Sequence, residues 1–381
     1  MTRLGGIARA LRLPALRMPP HGSIAGALHA RCGSSLTILV CIVLATACGG
    51  SKAKPTITEP ERTELVSTAD RILPLLPEGA QVIVEVDLAR LRANPAVGAL
   101  VTQIVTGDAP LAPLPDDVPR ISLAHADTMV MASYGVGTSS AATVIVVATT
   151  PSTTTSESSE SSGASSGTSS GESSGAPPPI PGAIPLADGL VVLGPAEWTA
   201  QVEARAAIAG ITGANTTPTI GVTKDLRALR DHAMPAKAPG ASLRITARLP
   251  FDARVALGRA TGLETPPAQM SIWGDVVDDM VFIIDLDASD PGDRTKPPAK
   301  DASSATKRME ASLRGVLAGL ANETAIRLVG LAPSLEGAEI VTRGSWVRAI
   351  IAVGPKRLGR VVERAKAFLA TPPAAVSAPA L

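Results

Sequence analysis

The chain is 381 residues long, with a formal net charge of +1 and seven aromatic side chains: three Trp, one Tyr and three Phe. That length accommodates two domains of ordinary size. A balance this far from basic argues against wholesale nucleic-acid binding, which depends on an excess of Lys and Arg near phosphate, and rings so few and scattered do not form the clusters that a stacking platform for bases or sugars needs.

Residues 36–47 form an apolar run of 12 residues. A membrane-spanning helix takes roughly 20, so this run is too short to span but matches the apolar region of a signal peptide. Arg3, Arg9, Arg12, Arg17 and Arg31 precede it without an acidic residue, the basic flank that is held back during export. Met18, inside this long flank, is an alternative start to Met1. The run ends in Leu44-Ala45-Thr46-Ala47-Cys48. This ending resembles the lipobox of bacterial lipoproteins. The resemblance implies a signal peptide over 1–47, lipidation of Cys48, and attachment to the membrane through that lipid. Gly49, where an aspartate would retain such a protein, implies the outer membrane of the cell envelope, on its periplasmic or surface face. Cys32 and Cys41 leave with the signal, so no internal disulfide forms. A lone exposed thiol is a liability in an oxidising compartment, and lipidation removes it. Without the five arginines, 30 basic residues face 34 acidic ones, and the net charge becomes −4.

Residues 48–60 read as a polar, lipid-proximal tether. Glu61 to Leu73 places Leu65, Ala69 and Ile72 on one helical face, and Val82, Val84, Val86 and Leu88 alternate as a half-buried strand. Asn94-Pro95 marks a helix start and Gly107 a stop. "DTMVMASYG" and "AATVIVVAT" read as paired strands. Residues 151–179 are Ser, Thr, Gly, Pro and Glu with almost no apolar side chain, a composition expected to be disordered. "DGLVVLG" is a further strand, followed by a helix between Pro195 and Gly210 with Trp198, Val202 and Ile208 inward.

The second half restarts at "PGASLRITARLPFDARVALG". Aligning Gly79-Ala80 on Gly240-Ala241 superimposes Val82, Val84, Val86 and Leu88 on Leu243, Ile245, Ala247 and Leu249. A helix and a strand pair, "QMSIWGDV" and "DMVFIIDLD", follow. A helix with Met309, Leu313, Val316, Leu317 and Leu320 inward, the strand pair "EGAEIVTRG" and "SWVRAIIAVG", and a helix burying Leu358, Val361, Val362, Ala365 and Leu369 complete the body. The fold class is α+β: two diverged strand–helix–strand–strand repeats forming antiparallel sheets packed by helices. The first half spans 61–230 with the insertion, the second 231–370, and 371–381 is a disordered tail. Leu76-Pro77-Glu78-Gly79-Ala80 before a strand ending in Val86-Asp87-Leu88-Ala89-Arg90-Leu91 resembles uncharacterised secreted lipoproteins of high-GC bacteria, a likeness that carries no activity.

Chemical motifs are few. Three overlapping G-x-S-x-G matches, Gly163 to Gly175, lie inside the low-complexity run, where no strand-to-helix turn can expose the serine. Asp285, Asp287, Asp290 and Asp293 form an oxygen-rich cluster that is a weak calcium candidate; counted from Asp285, the EF-hand glycine and glutamate places hold Asp290 and Lys296. Asp275, Asp278 and Asp279 suit a hairpin turn. His125 and His232 stand in loop-like stretches without a second ligand at zinc spacing. Arg357, Arg360 and Arg364 line one side of the last helix, a solvated face with an anionic lipid surface as the alternative. Arg244 and Arg248 point away from the apolar side of their strand, and Asp87 is the repeat counterpart of Arg248, so packing of the repeats is expected to bring such charges together.

No catalytic constellation, cofactor motif or metal site emerges. The expected function is a lipid-anchored binding or scaffolding module with an envelope protein partner and no nucleic acid. A periplasmic hydrolase assembled from distant residues, or a small-ligand carrier, is the alternative. Substituting Cys48→Ala is expected to abolish acyl labelling and release the protein into the soluble fraction; continued membrane retention contradicts the anchor.

Overall fold

A computed structural model describes residues 67–105, 125–149, 183–212, 224–235, 240–289 and 302–370. Cys48, Leu65, Gly107 and the serine-rich run lie outside them. The first half contains α1 (Thr68–Ile72), β1 (Val82–Asp87), α2 (Leu88–Ala93), α3 (Gly98–Val105), β2 (Ala126–Tyr134), β3 (Ala142–Thr149), β4 (Ile184–Pro185), β5 (Leu190–Leu193) and α4 (Ala196–Thr212). Next comes α5 (Lys224–Arg230), at the end of the segment counted with the first half, which packs on the strands of the second. The second half contains β6 (Leu243–Arg248), α6 (Phe251–Thr261), β7 (Gln269–Val276), β8 (Met280–Asp287), α7 (Ala302–Asn322), α8 (Thr324–Val329), α9 (Ala332–Glu336), β9 (Glu339–Arg343), β10 (Trp346–Val353) and α10 (Pro355–Ala370).

The fold is α+β. Among the described residues, ten strands form one antiparallel sheet in the order β4-β5-β3-β2-β1-β6-β7-β8-β10-β9. Two sheets were expected; pairing of β1 with β6 makes them one. Each half runs outward from the centre as first, second, third, fifth and fourth strand. Val84 pairs with Ile245 at the middle of the joining ladder, and these are the residues that the repeat alignment superimposes. The two halves are therefore related by a pseudo-two-fold through that pair. The backbone bonds obey it: the Asp87 amide donates to the Ser242 carbonyl at 3.0 Å, and the Arg248 amide to the Gln81 carbonyl at 2.7 Å.

Alternation along each strand gives the sheet two faces. The Val84 face carries Leu243, Ile245, Phe282, Ile284, Val347 and Ile351 under Met309, Leu313 and Leu317 of α7 and Leu358, Val361 and Val362 of α10. Gly274 lets the Phe282 ring lie against this face, since a Cβ there would fall 2.3 Å from the ring. The opposite face of the first half carries Ile83, Val130, Val144, Val146 and Val192 under α1 and α4.

Caps explain the local starts. Ser67 and Asp70 form a reciprocal capping box on α1. Asn94 accepts from the amides of Ala96 and Val97, so the turn occupies 95–97 and α3 begins at Gly98. Two expectations for α4 are corrected. It continues through Gly210 to Thr212, because helical propagation tolerates a glycine at a cost of about 1 kcal/mol, and Ile208 is 59% exposed while Trp198 and Val202 face the core. The short helices α8 and α9, which no periodicity indicated, fill the connection before β9.

Ile245 sits at the pseudo-two-fold and is buried. Ile245→Ala should cost about 2–5 kcal/mol, read as a loss of both halves in one denaturant transition rather than two.

Candidate functional site

The pseudo-symmetry fails at the helix after the outer hairpin of each half, and the site lies there. Following β5, α4 packs its Trp198 and Val202 on the Glu85 face; following β10, α10 packs on the Val84 face instead. Under α4 the ladders align Val192, Val146 and Val130, all fully buried. Rotation about the Val84–Ile245 pair turns that row into Arg348, Asp285 and Ser271. Charged and hydroxyl groups thus occupy the places that an apolar helix would otherwise cover.

Asp285 is the pivot of this row and has no exposed surface. The Arg348 guanidinium donates to both its oxygens, from Nε to Oδ1 at 2.7 Å and from Nη2 to Oδ2 at 2.6 Å. This fork-on-fork geometry fixes the guanidinium plane. Hydrogen bonding to Asp285 raises the Arg348 pKa against the opposing effect of partial burial. His232, in the turn after α5, places Nδ1 at 2.7 Å from Asp285 Oδ2, and its carbonyl accepts from Arg348 Nη2 at 2.9 Å. The imidazole stacks on Trp346, with centroids 3.9 Å apart and planes 25° from parallel.

Trp346 divides two concavities. One of about 340 Å³ is lined by Leu226, Leu229, His232, Arg248, Gln269 and Trp346. The other, about 190 Å³, is lined by Asp285, Val341, Arg343, Trp346 and Arg348. The result is a groove with an aromatic ridge, a fixed cation below it, and Arg248 and Arg343 at its flanks.

A second charged cluster lies deeper on the same face. Arg230 of α5 grips Glu85 at 2.6 and 2.7 Å and reaches Asp70 of α1 at 2.7 Å. Burial disfavours the Arg230 cation, but the Glu85 hydrogen bond and the surrounding carboxylates outweigh it and raise its pKa. Burial and then the neighbouring Arg230 lower the pKa of Arg244. Burial would raise the Asp70 carboxyl, yet Arg230 and the bonds from Ser67 overcome it and hold the pKa below its ordinary value. This cluster ties α1, β1 and α5 together and is structural.

The sequence expectations are redistributed accordingly. Asp285 and Asp287 do share a face, but Asp285 binds Arg348 and His232, while Asp287 accepts from Ser289 at 2.9 and 2.5 Å. Asp290 and Asp293 lie outside the described residues, and no metal-holding group of three is found among the described ones. Asp275 lies within β7 rather than in the hairpin turn, as the buried partner of Arg90 at 2.7 Å and of Ser242 at 2.8 Å. Asp87 and Arg248 do not meet. Antiparallel pairing puts them at opposite ends of the ladder, where Asp87 caps α2 and Arg248 pairs with Asp225 at 3.2 Å. Arg357 donates to Ser334 at 2.8 Å and anchors α10 to α9. His125 is exposed at the start of β2, away from these groups.

No family model and no curated protein matches the chain. Among solved structures it is similar to TP0453 in two crystal forms. Form III aligns with a TM-score of 0.35 and 12% identity over 76% of this chain and 96% of that one. Form I aligns with a TM-score of 0.34 and 10% identity over 76% and 95%.

The Arg230 cluster yields a stability prediction with a defined sign. Arg230→Met leaves Glu85 buried and unpaired and should cost about 3–5 kcal/mol. Because the folded Asp70 pKa is depressed, its contribution is present above the unfolded value near 4 and is lost as pH falls through the lower folded value. Denaturant titrations across this range should show that acid-dependent part shrink in Arg230→Met, because Arg230 is the largest of the groups that lower the Asp70 pKa and the Ser67 hydrogen bonds remain.

Proposed function

We propose that the chain is a lipid-anchored binding or scaffolding module of the cell envelope, and that its partner engages the groove around Trp346. One observation carries the reading: Trp346, stacked on His232, stands between two concavities with an Arg348 guanidinium already fixed by Asp285. Trp and Arg are the residue types through which interfaces concentrate binding energy. Holding them in place before contact lowers the ordering cost on association. The larger concavity is at the low end of the roughly 300–1,000 Å³ typical of small-molecule pockets, which favours a surface groove for a macromolecular segment over a carrier cavity. Attachment to the envelope is supported by the basic flank, apolar run and Cys48 of the N-terminal sequence.

A hydrolase reading has the His232–Asp285 contact in its favour. A triad also needs a hydroxyl on the imidazole. Ser271, cross-strand neighbour of Asp285, is fully buried. Its Oγ accepts from the Ala233 amide at 3.3 Å and donates to the Arg230 carbonyl at 3.5 Å. No serine, threonine or cysteine donates to His232 among the described residues.

A photo-crosslinking amino acid in place of Gln269, which lines the larger concavity, should give one discrete adduct in intact envelopes. The adduct should disappear with Trp346→Ala and be absent when the probe replaces exposed Ile208. Equal labelling from both positions, or none from either, contradicts the groove.

A further inference from the structure

The two edges of the sheet differ. The β4 edge is two residues long and contains Pro185, which lacks a ladder donor and blunts pairing. The β9 edge, Glu339–Arg343, has five residues with no proline, lysine or bulge, and among the described residues it pairs only with β10. Its hairpin closes through Gly344-Ser345, with Gly344 at φ 61° in the first central position of a type II′ turn. In such a hairpin the flanking Arg343 and Trp346 exchange backbone bonds. By alternation Val341 and Glu339 also direct their backbone groups at β10, and those of Ile340 and Thr342 face outward.

The sequence Glu339-Ile340-Val341-Thr342-Arg343 is complementary to its own reverse. We infer that β9 pairs antiparallel with β9 of a second copy, about a two-fold axis at Val341. In that register the outward groups of Ile340 meet those of Thr342 in the other copy, satisfying the open edge on both sides. Val341, 41% exposed, meets its own counterpart as a non-hydrogen-bonded pair, the arrangement in which side chains are closest. Glu339 of each copy faces Arg343 of the other on one side of the sheet. Neither has an ion-pair partner within the chain among the described residues. Such an isologous contact closes on itself and gives a dimer, not a filament. A single edge strand buries less than the area of a standard stable interface, so the dimer is weak and concentration-dependent.

The pairing also acts on the groove. Val341 and Arg343 line the smaller concavity, so the second copy's strand extends that concavity across the axis to its mate. The inference stands independently of any envelope partner at Trp346.

Cysteine trapping in the full chain in native envelopes tests it. Val341→Cys brings two thiols together across the axis at cross-strand spacing, about 4.5–5.5 Å between Cβ atoms, close enough for a disulfide after small adjustment. Mild oxidant should give a disulfide-linked dimer of this variant, and far less of Val277→Cys, another exposed valine. Adding Glu339→Arg or Arg343→Glu alone should lower the trapped fraction about tenfold by setting like charges opposite each other. The double exchange E339R/R343E should restore it, and co-expressing the two single variants should give the mixed dimer. The substituted side chains of β9 are exposed on an edge strand, and recovery by the double exchange separates a pairing effect from misfolding. Trapping no greater than that of Val277→Cys, or single and double exchanges that behave alike, overturns the inference.

Discussion

The antiparallel pairing of β1 with β6 is the constraint on which the rest of the structure depends. It joins the two halves of the sheet, and its centre, Val84 opposite Ile245, is also the centre of the pseudo-symmetry. Other contacts cross the same seam and fix it. Arg90 of α2 reaches Asp275 of β7, Asn94 donates to the carbonyls of Val276 and Val277, and Arg230 of α5 holds Glu85 of β1. Apolar packing at the seam is non-directional. The forked Arg–carboxylate contacts supply the angular specificity that packing alone lacks. Removing either side of such a buried pair strands a charge, so the seam tolerates little variation.

Two halves built on one plan need not bury the same surfaces. One difference between them is the direction taken by the helix after each outer hairpin. With α4 on the Glu85 face, the first half requires Val130, Val146 and Val192 beneath it. With α10 on the other face, the counterparts Ser271, Asp285 and Arg348 are free to be polar, provided that each finds a partner. Asp285 and Arg348 satisfy each other, Ser271 bonds the Ala233 amide and the Arg230 carbonyl, and Asp285 also positions His232 and through it the Trp346 stack. The groove thus lies where the second half has no counterpart of α4 among the described residues, and its chemistry is that of the residues left uncovered there.

Much of the architecture was legible in the sequence because strands announce themselves by alternation. Val82 to Leu88, Met270 to Val276 and Val347 to Val353 were readable as strands, and the alignment of Gly79-Ala80 with Gly240-Ala241 placed Val84 on Ile245. Sequence spacing does not carry register between distant strands, however. Asp285 and Arg348 are 63 residues apart, and Arg230 and Glu85 are 145 apart. A charged residue inside an otherwise apolar strand, as in "FIIDLD" and "WVRAIIAV", was the available signal that a partner had to exist. The expectation that Asp87 and Arg248 meet treats equivalent positions as adjacent. A two-fold through an antiparallel ladder instead sends equivalent ends to opposite edges. The direction of α4 and the short helices α8 and α9 depend on tertiary packing and left no periodic trace.

The central claim is that the halves form one cooperative sheet locked at β1 and β6. Native-state hydrogen exchange tests it most directly, by comparing amides of Val82–Asp87 and Leu243–Arg248 with those of β3 and β8 further out. The central amides of both halves should open only in global unfolding and with the same free energy. If the amides of one half exchange through a lower-energy opening while those of the other remain protected, the halves are independent units and the account is contradicted.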